Sequence, residues 1–249
     1  MIQVLFLGTG TSTGIPYINC TCDVCQSKDT KDKRLRSSVV VSLGNEQLLI
    51  DCGPDFRQQA ILHDISQISA VLLTHEHFDH VSGIDDLRAY GEVSIYAENR
   101  VCENIVRNMP YCFGEIKYPG VPSISLHEID TTPFTIKKIE IIPIRIFHHK
   151  LPILGFRIGN FAYLTDISSI DNEEIEKLQD VDVLVVDALR IQPHFSHFSL
   201  EQAIAFAQKS NAKKIYFTHI SHQLGKHEEI AKLLPNNMYL AYDGLKIIL

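Results

Sequence analysis

"LLTHEHFDH", residues 72–80, closes an apolar run and then packs His75, His77, Asp79 and His80 into six residues, spaced H-x-H-x-D-H. In extended chain, residues two apart face the same way, so His75 and His77 can grip one metal ion from one side. Asp79 and His80 lie beyond the turn and can point to a second ion nearby. Imidazole suits zinc, manganese or iron, and the carboxylate widens the range towards harder ions. A histidine-rich surface loop is the alternative. The apolar strand 70–73 directly before the motif argues against it.

The chain around this motif is strand-rich with helices interspersed. Residues 3–7, 38–43, 47–52, 71–74 and 93–96 read as strands, and Pro54 sits where the first turn of a helix continuing over 55–62 would accept it. Residues 139–147 place Ile139, Ile141, Ile144 and Ile146 at strand spacing, broken at Pro143. Residues 156–158 and 161–165 read as a hairpin turning at Gly159-Asn160. Residues 183–186 read as a fully buried strand, and 214–218 and 238–241 as further strands. At Ser199 a helix begins, since Ser199 can cap the amide of Gln202 while Gln202 reaches back. Two strand-rich halves with helices between them predict one α/β domain over 1–249, a sandwich of two mixed sheets covered by helices.

Composition narrows the setting. With 45% hydrophobic and 21% charged residues among 249, the chain has the balance of an ordinary soluble enzyme. The start lacks the basic segment, long apolar run and small-residue cleavage site of a secretion signal. Apolar runs such as 70–73 and 183–186 are far too short to span a bilayer. A cytoplasmic location is therefore expected, with cysteines as thiols or ligands rather than disulfides. Cys52, Cys102 and Cys112 are scattered and read as small buried apolar residues. The net charge of −7 argues against broad nucleic-acid binding. Residues 28–36, "KDTKDKRLR", are the basic exception. They read as a solvated loop, or as a rim that attracts an anionic substrate. The sequence leaves monomer and homodimer both open.

The three remaining cysteines form C-x-C-x-x-C at Cys20, Cys22 and Cys25. A structural zinc site takes four protein ligands in a tetrahedron, so three thiolates are one ligand short.

Taken together, these motifs resemble the metallo-β-lactamase superfamily over nearly the whole chain. The resemblance rests on "LLIDCG" (48–53), the motif above, a histidine after the strand at 139–147, Asp166 ending "FAYLTD", and His219 ending "IYFTH". It implies an αββα sandwich with a two-metal site at the sheet edges. His75, His77 and His148 would hold one divalent ion, Asp79, His80 and His219 the other, and Asp166 would bridge them; zinc and manganese are both candidates. The neighbouring His149 is the rival of His148, and the "KLPxLGF" spacing of the superfamily favours His148. Asp51 and Asp187 also end strands and read as supporting carboxylates rather than ligands.

Within the superfamily, "GTGTSTGIPYINCTCDVCQS" (8–27) with "DKRLRSS" (32–38) resembles the branch of the phosphoribosyl 1,2-cyclic phosphate phosphodiesterase. A similar cysteine cluster occurs in a relative associated with pyrroloquinoline quinone biosynthesis. The branch implies a structural zinc on Cys20, Cys22 and Cys25, with His222 of "THISHQ" as the fourth ligand. It also implies a general acid, His197, 22 residues before His219, with His194 as a nearby structural or exposed histidine. A histidine titrates near neutrality and can protonate a leaving alkoxide. Two ions in one site would activate water for attack on phosphorus, with amides of the 8–14 loop helping to neutralise charge. That loop lacks the G-K-[ST] ending of a nucleotide-binding P-loop. The expected activity is two-metal hydrolysis of a small, cyclic phosphodiester. The alternatives are an RNA-processing phosphodiesterase like the tRNA 3′-end endonuclease, or a cofactor-pathway metal-binding protein with little hydrolytic activity.

Overall fold

The computed structural model describes residues 1–114 and 119–249. Its first-half strands are β1 (Ile2–Gly8), β2 (Ser38–Leu43), β3 (Glu46–Ile50), β4 (Ala70–Leu72), β5 (Glu92–Ala97) and β6 (Ser123–Glu128). The second half contains β7 (Phe134–Ile136), β8 (Ile139–His148), β9 (Leu151–Ile158), β10 (Phe161–Leu164), β11 (Val183–Asp187), β12 (Lys214–Thr218), β13 (Met238–Leu240) and β14 (Lys246–Ile248). Helices are α1 (Asp23–Gln26), α2 (Phe56–Leu62), α3 (Phe78–Val81), α4 (Asn99–Asn108), α5 (Pro110–Phe113), α6 (Asn172–Glu176), α7 (Leu200–Lys209) and α8 (His227–Ala231).

Two seven-stranded sheets result, ordered β14-β1-β2-β3-β4-β5-β6 and β13-β12-β11-β10-β9-β8-β7. Both mix parallel and antiparallel neighbours. The inner faces meet in one core, where Phe6, Val41, Ile50 and Leu72 pack with Phe156, Phe161, Tyr163 and Val185. The outer face of the first sheet is covered by Phe56 of α2 and by Val101 and Ile105 of α4. That of the second is covered by Ala203 and Phe206 of α7. This is the expected αββα sandwich. Strand β11 is buried at every position because it lies between parallel neighbours β10 and β12. The capping box at Ser199 and Gln202 is present, as expected.

The apolar spacing changes phase at Pro143, as expected, with Ile141 in the core between the sheets and Ile144 and Ile146 in the core under α7, while β8 itself runs through Pro143, paired with Phe156 of β9. Strand β7 reaches only Ile141, so Pro143 lies where β8 has one strand neighbour and its missing N–H costs little. Residues 28–36 are a solvated loop only at 28–31, which are exposed; the remainder is held in the fold. Arg34 and Asp32 are buried, Arg36 pairs with Asp55 at 3.0 Å, and Lys33 Nζ donates to the Cys25 carbonyl at 3.0 Å. Short strands β6, β7 and β14 escaped the sequence because their apolar runs are brief. Cys52, Cys102 and Cys112 are buried, as expected. Among the described residues no helix is long and apolar enough to cross a membrane.

What positions the site is how the chain leaves the strands. Asp51, Asp166 and His219 each follow the end of a strand, and each adopts a left-handed backbone, with φ of 62°, 55° and 55°. Such a turn swings the side chain off the sheet onto its edge, and Asp tolerates it better than most residues. Gly53 permits the next contact. A Cβ there would lie 2.1 Å from the carbonyl oxygen of Asp79, and the Cys52 amide donates to the His80 carbonyl at 2.8 Å. The 51–53 segment therefore lies backbone-to-backbone against the H-x-H-x-D-H turn. Gly53→Ala must push these segments apart and is expected to cost about 1–3 kcal/mol, as overpacking does. Equilibrium urea unfolding with an unchanged midpoint would contradict this contact.

Candidate active site

Beyond β4 the chain bends at Thr74, runs irregularly through His75 and Glu76 to an extended His77, and α3 starts at Phe78. The rings of His75 and His77 meet at 4.5 Å, and both lie near the ring of His148, at 5.8 and 5.2 Å. His148, the last residue of β8, therefore completes a trio. His149 instead faces out, edge-on to Phe195 at 5.4 Å. On the other side, Asp79, His80 and His219 bring one ligand atom each within 4.8 Å of one another. Asp166 lies between the groups, with Oδ2 3.2 Å from His80 Nε2 and Oδ1 3.3 Å from His219 Nε2. The seven residues singled out from the sequence thus converge at one sheet edge.

Hydrogen bonds behind the cluster set the rings. Asp51 is fully buried and accepts from His80 Nδ1 at 2.7 Å and from the Thr74 amide and hydroxyl, each at 2.9 Å. His148 Nδ1 donates to the Asp166 carbonyl at 3.1 Å, and His75 Nδ1 contacts the Thr74 hydroxyl at 3.0 Å. Each of these imidazoles thereby turns Nε2 towards the centre. Burial, reinforced by His80, holds His75 well below the usual histidine range, and burial lowers His148 too. Both are neutral and offer lone pairs. His80 goes the other way. Burial would depress it, but Asp79, Asp166 and Asp51 outweigh that and raise it well above its ordinary value.

This donor set fits a divalent cation. The Nε2 atoms of His75, His80 and His219 are buried and make no hydrogen bond among the described residues. They face the carboxylates of Asp79 and Asp166, a concentration of negative charge that a cation would neutralise. Nitrogen and carboxylate oxygen together suit zinc or manganese.

His197 is buried beside this cluster, stacked on His219 at 5.0 Å and edge-on to His148 at 4.6 Å. Its Nδ1 donates to Asp187 Oδ2 at 2.7 Å, leaving Nε2 free. Burial lowers His197 from the ordinary histidine value and pushes the Asp187 carboxyl well up. Sequence reasoning marked Asp187 as a supporting carboxylate but missed its partner. The signal was there: Asp187 ends an apolar strand just as the cluster residues do. His194 lies against His197, ring to ring at 5.2 Å, and stacks on Phe195 at 4.6 Å with Nδ1 3.2 Å from the Ser196 hydroxyl. Three amides of the 8–14 loop are taken up within the fold rather than offered to a ligand. Gly10, Thr11 and Gly14 donate to the carbonyls of Leu35, Ile220 and Thr11, so the loop clamps the chain just past His219.

A second cluster lies at the start of the chain. The Sγ atoms of Cys20, Cys22 and Cys25 and a ring nitrogen of His222 lie within 4.8 Å of one another. His222 Nδ1 is 3.3 Å from Cys20 Sγ and 3.4 Å from Cys22 Sγ. Ligands about 2.1–2.3 Å from a tetrahedral zinc have comparable separations. The Cys25 amide and His222 lower the Cys22 thiol to about 6, while burial raises Cys25 to about 11.

The sandwich and the edge cluster define a metal-dependent hydrolase. The chain belongs to the Beta-lactamase superfamily domain, whose profile matches residues 46–220. Over its full length it is similar to a solved diphosphatase of the PhnP family, with 38% identity, 98% of that chain covered and a TM-score of 0.93. The fold is shared with zinc-bound PqqB from Methylobacterium extorquens, at 20% identity, covering 99% of this chain and 100% of that one, TM-score 0.83. Among curated relatives, an octanoyltransferase from Porphyromonas gingivalis is 43% identical over all of this chain and 52% of its own length. Coenzyme PQQ synthesis protein B from Rhodopseudomonas palustris is 30% identical over 55% of this chain and 53% of its own length. The chain thus spans about half the length of the curated relatives it matches.

Because Asp51 orients His80 and the Thr74 backbone, Asp51→Ala should weaken divalent-metal affinity about 10–100-fold, the usual loss when a ligand's partner is removed. Calorimetric titration of the metal-free protein reads this, and an unchanged affinity would refute the role.

Proposed function

We propose that this chain is a dinuclear metal-dependent phosphodiesterase acting on a small, cyclic phosphodiester such as phosphoribosyl 1,2-cyclic phosphate. In this reading His75, His77 and His148 would hold one divalent ion and Asp79, His80 and His219 the other, with Asp166 as a ligand shared by the two groups. The ions supply Lewis-acid charge and activated water at neutral pH. The carrying observation is the His197–Asp187 pair, a buried imidazole beside the cluster with one nitrogen bonded at 2.7 Å and the other free. Asp187 acts as a positioning residue. It fixes the ring, so that His197 Nε2 can hand a proton to a departing alkoxide. Burial opposes ionisation of Asp79, but His80 and His219 outweigh it and hold its carboxyl well below the usual range, so that Asp79 would be charged to orient an attacking water.

The full-length likeness to a PhnP-family diphosphatase supports phosphoryl chemistry. Its name also favours a second reading, hydrolysis of a diphosphate, which belongs in the same assay. The octanoyltransferase name carries less weight, because this chain matches only half of that relative. RNA processing and a non-hydrolytic role in cofactor synthesis rest on the fold likenesses and on partial matches.

Metal-loaded protein should hydrolyse bis(p-nitrophenyl) phosphate in preference to the monoester and to a β-lactam. His197→Ala should cut kcat about 10²–10⁴-fold on a diester with an alkoxide leaving group, and far less with p-nitrophenolate, which departs without a proton. Metal content should hold at the parent value. Equal losses on both esters would remove His197 from the acid role.

We propose zinc for the cysteine cluster, with His222 as the fourth ligand. His222→Ala should then lower zinc by about one ion per chain and destabilise the fold, since structural zinc contributes its binding free energy to folding. Elemental analysis showing parent zinc content would rule His222 out.

A further inference from the structure

Behind the His75–His77 segment lies a bridge of charged side chains that the proposed chemistry does not use. Strand β10 pairs with β9 over Phe156–Ile158. Residues 151–154 lie past that pairing, and this stretch of β9 is hydrogen-bonded to the first half of the chain instead. The Leu154 amide donates to the Thr74 carbonyl at 3.1 Å, and Arg100 Nη2 donates to the Pro152 carbonyl at 3.0 Å. Arg100 Nε lies 2.8 Å from Glu76 Oε1. Arg100 therefore spans from Glu76, between His75 and His77, to Pro152, the neighbour of the Leu151 that pairs with His148.

Three features separate this bridge from an ordinary surface ion pair, which holds little in place. Arg100 sits in the first turn of α4, where the helix dipole disfavours a cation. The Oε2 atom of Glu76 is buried and makes no hydrogen bond among the described residues, so the charge of Glu76 depends on Arg100. Glu98, the residue before α4, accepts from Arg145 Nη1 of β8 at 2.9 Å. The start of α4 thus holds both strands of the hairpin that carries His148. A planar guanidinium that meets two partners at once fixes their geometry in a way an ammonium does not.

We propose that Arg100 is a positioning residue for one of the two metal positions alone. It holds the His148 hairpin against the His75–His77 segment, so that these three rings converge. The other group is oriented by separate contacts, His80 by Asp51 among them. Glu76 is the anchor that places Arg100, and Pro152 is what Arg100 holds. The assignment rests on the two-ion reading of the cluster and not on the identity of the substrate.

Calorimetric titration with manganese tests this on protein stripped of metal at the edge cluster, since manganese prefers oxygen donors to the thiolates of the cysteine cluster. Arg100→Met should weaken one binding step about 10–100-fold, the usual loss when a ligand's support is removed, and leave the other nearly unchanged. Removing one ligand from each group assigns the step. In a His219→Ala background the weakening should persist. In a His148→Ala background it should vanish, because Arg100 acts through His148. Arg100→Lys keeps a cation beside Glu76 but lacks the fork that also reaches Pro152, so it should retain the unfolding midpoint and still lose the affinity, which a merely structural ion pair would not do. The double variant Glu76→Gln with Arg100→Met leaves no unpaired carboxylate and should bind manganese no better than Arg100→Met alone. Equal weakening of both steps, weakening that survives His148→Ala, or parent affinity in Arg100→Lys or in the double variant overturns the role. A parent with a single manganese step overturns the two-ion reading, and the His148→Ala comparison then decides Arg100 for that one ion.

Discussion

The hydrogen bonds converging on Asp51 hold the site in shape. A fully buried carboxylate is tolerable only where donors surround it, and here the donors are the Thr74 amide, the Thr74 hydroxyl and His80 Nδ1. Asp51 follows β3, Thr74 follows β4, and His80 lies in α3. One side chain therefore registers two parallel strand ends and the first turn of a helix against one another. The His80 ring that results can only present Nε2 to the centre, and the backbone approach at Gly53 keeps the whole turn from rotating away.

The second sheet brings the rest by the same device. His148, Asp166, Asp187 and His219 end or follow strands β8, β10, β11 and β12, which are hydrogen-bonded neighbours or nearly so. Because β10, β11 and β12 run parallel, their carboxyl ends share one edge. Left-handed turns at Asp166 and His219 then direct side chains inward. The large apolar interface between the sheets holds that edge against the first-sheet edge carrying His75, His77, Asp79 and His80. Asp187 links His197 to the cluster, because its carboxylate lies against His197 and within 3.9 Å of His219.

Charged groups that look exposed in the sequence secure the two ends of the chain. Arg34 is buried and donates to the Thr9 hydroxyl and the Ala241 carbonyl, at 2.7 and 2.6 Å, and contacts His227 at 3.1 Å. Asp243 accepts from Thr9 and the Leu35 amide, and Asp32 from the His227 amide. Together with the cysteine cluster on His222, this network joins residues 9–35 to residues 222–243. It also braces the 8–14 loop against the strand end that delivers His219.

Local sequence was enough for the elements with a strong pattern: β2, β11, β12 and the capped start of α7. It was also enough to single out the residues of H-x-H-x-D-H, which is dense in ligand types, while C-x-C-x-x-C was less specific and needed a fourth residue from far along the chain. Asp166, His148 and His219 were legible because each closes an apolar strand, and because their surroundings resemble a known superfamily. Other features needed the fold. Pairing between Asp187 and His197, the burial of Arg34, and the stance of Phe195 against His149 are contacts between segments with no local signature of each other. Charge in a sequence reads as solvent-exposed until a partner far along the chain replaces water, and an apolar ring reads as core until packing leaves it outside. Motif chemistry is a property of residue type and spacing, so the chain alone determined it. Which side chain faces which across the edge of two sheets is a property of packing, and only the tertiary structure decided that.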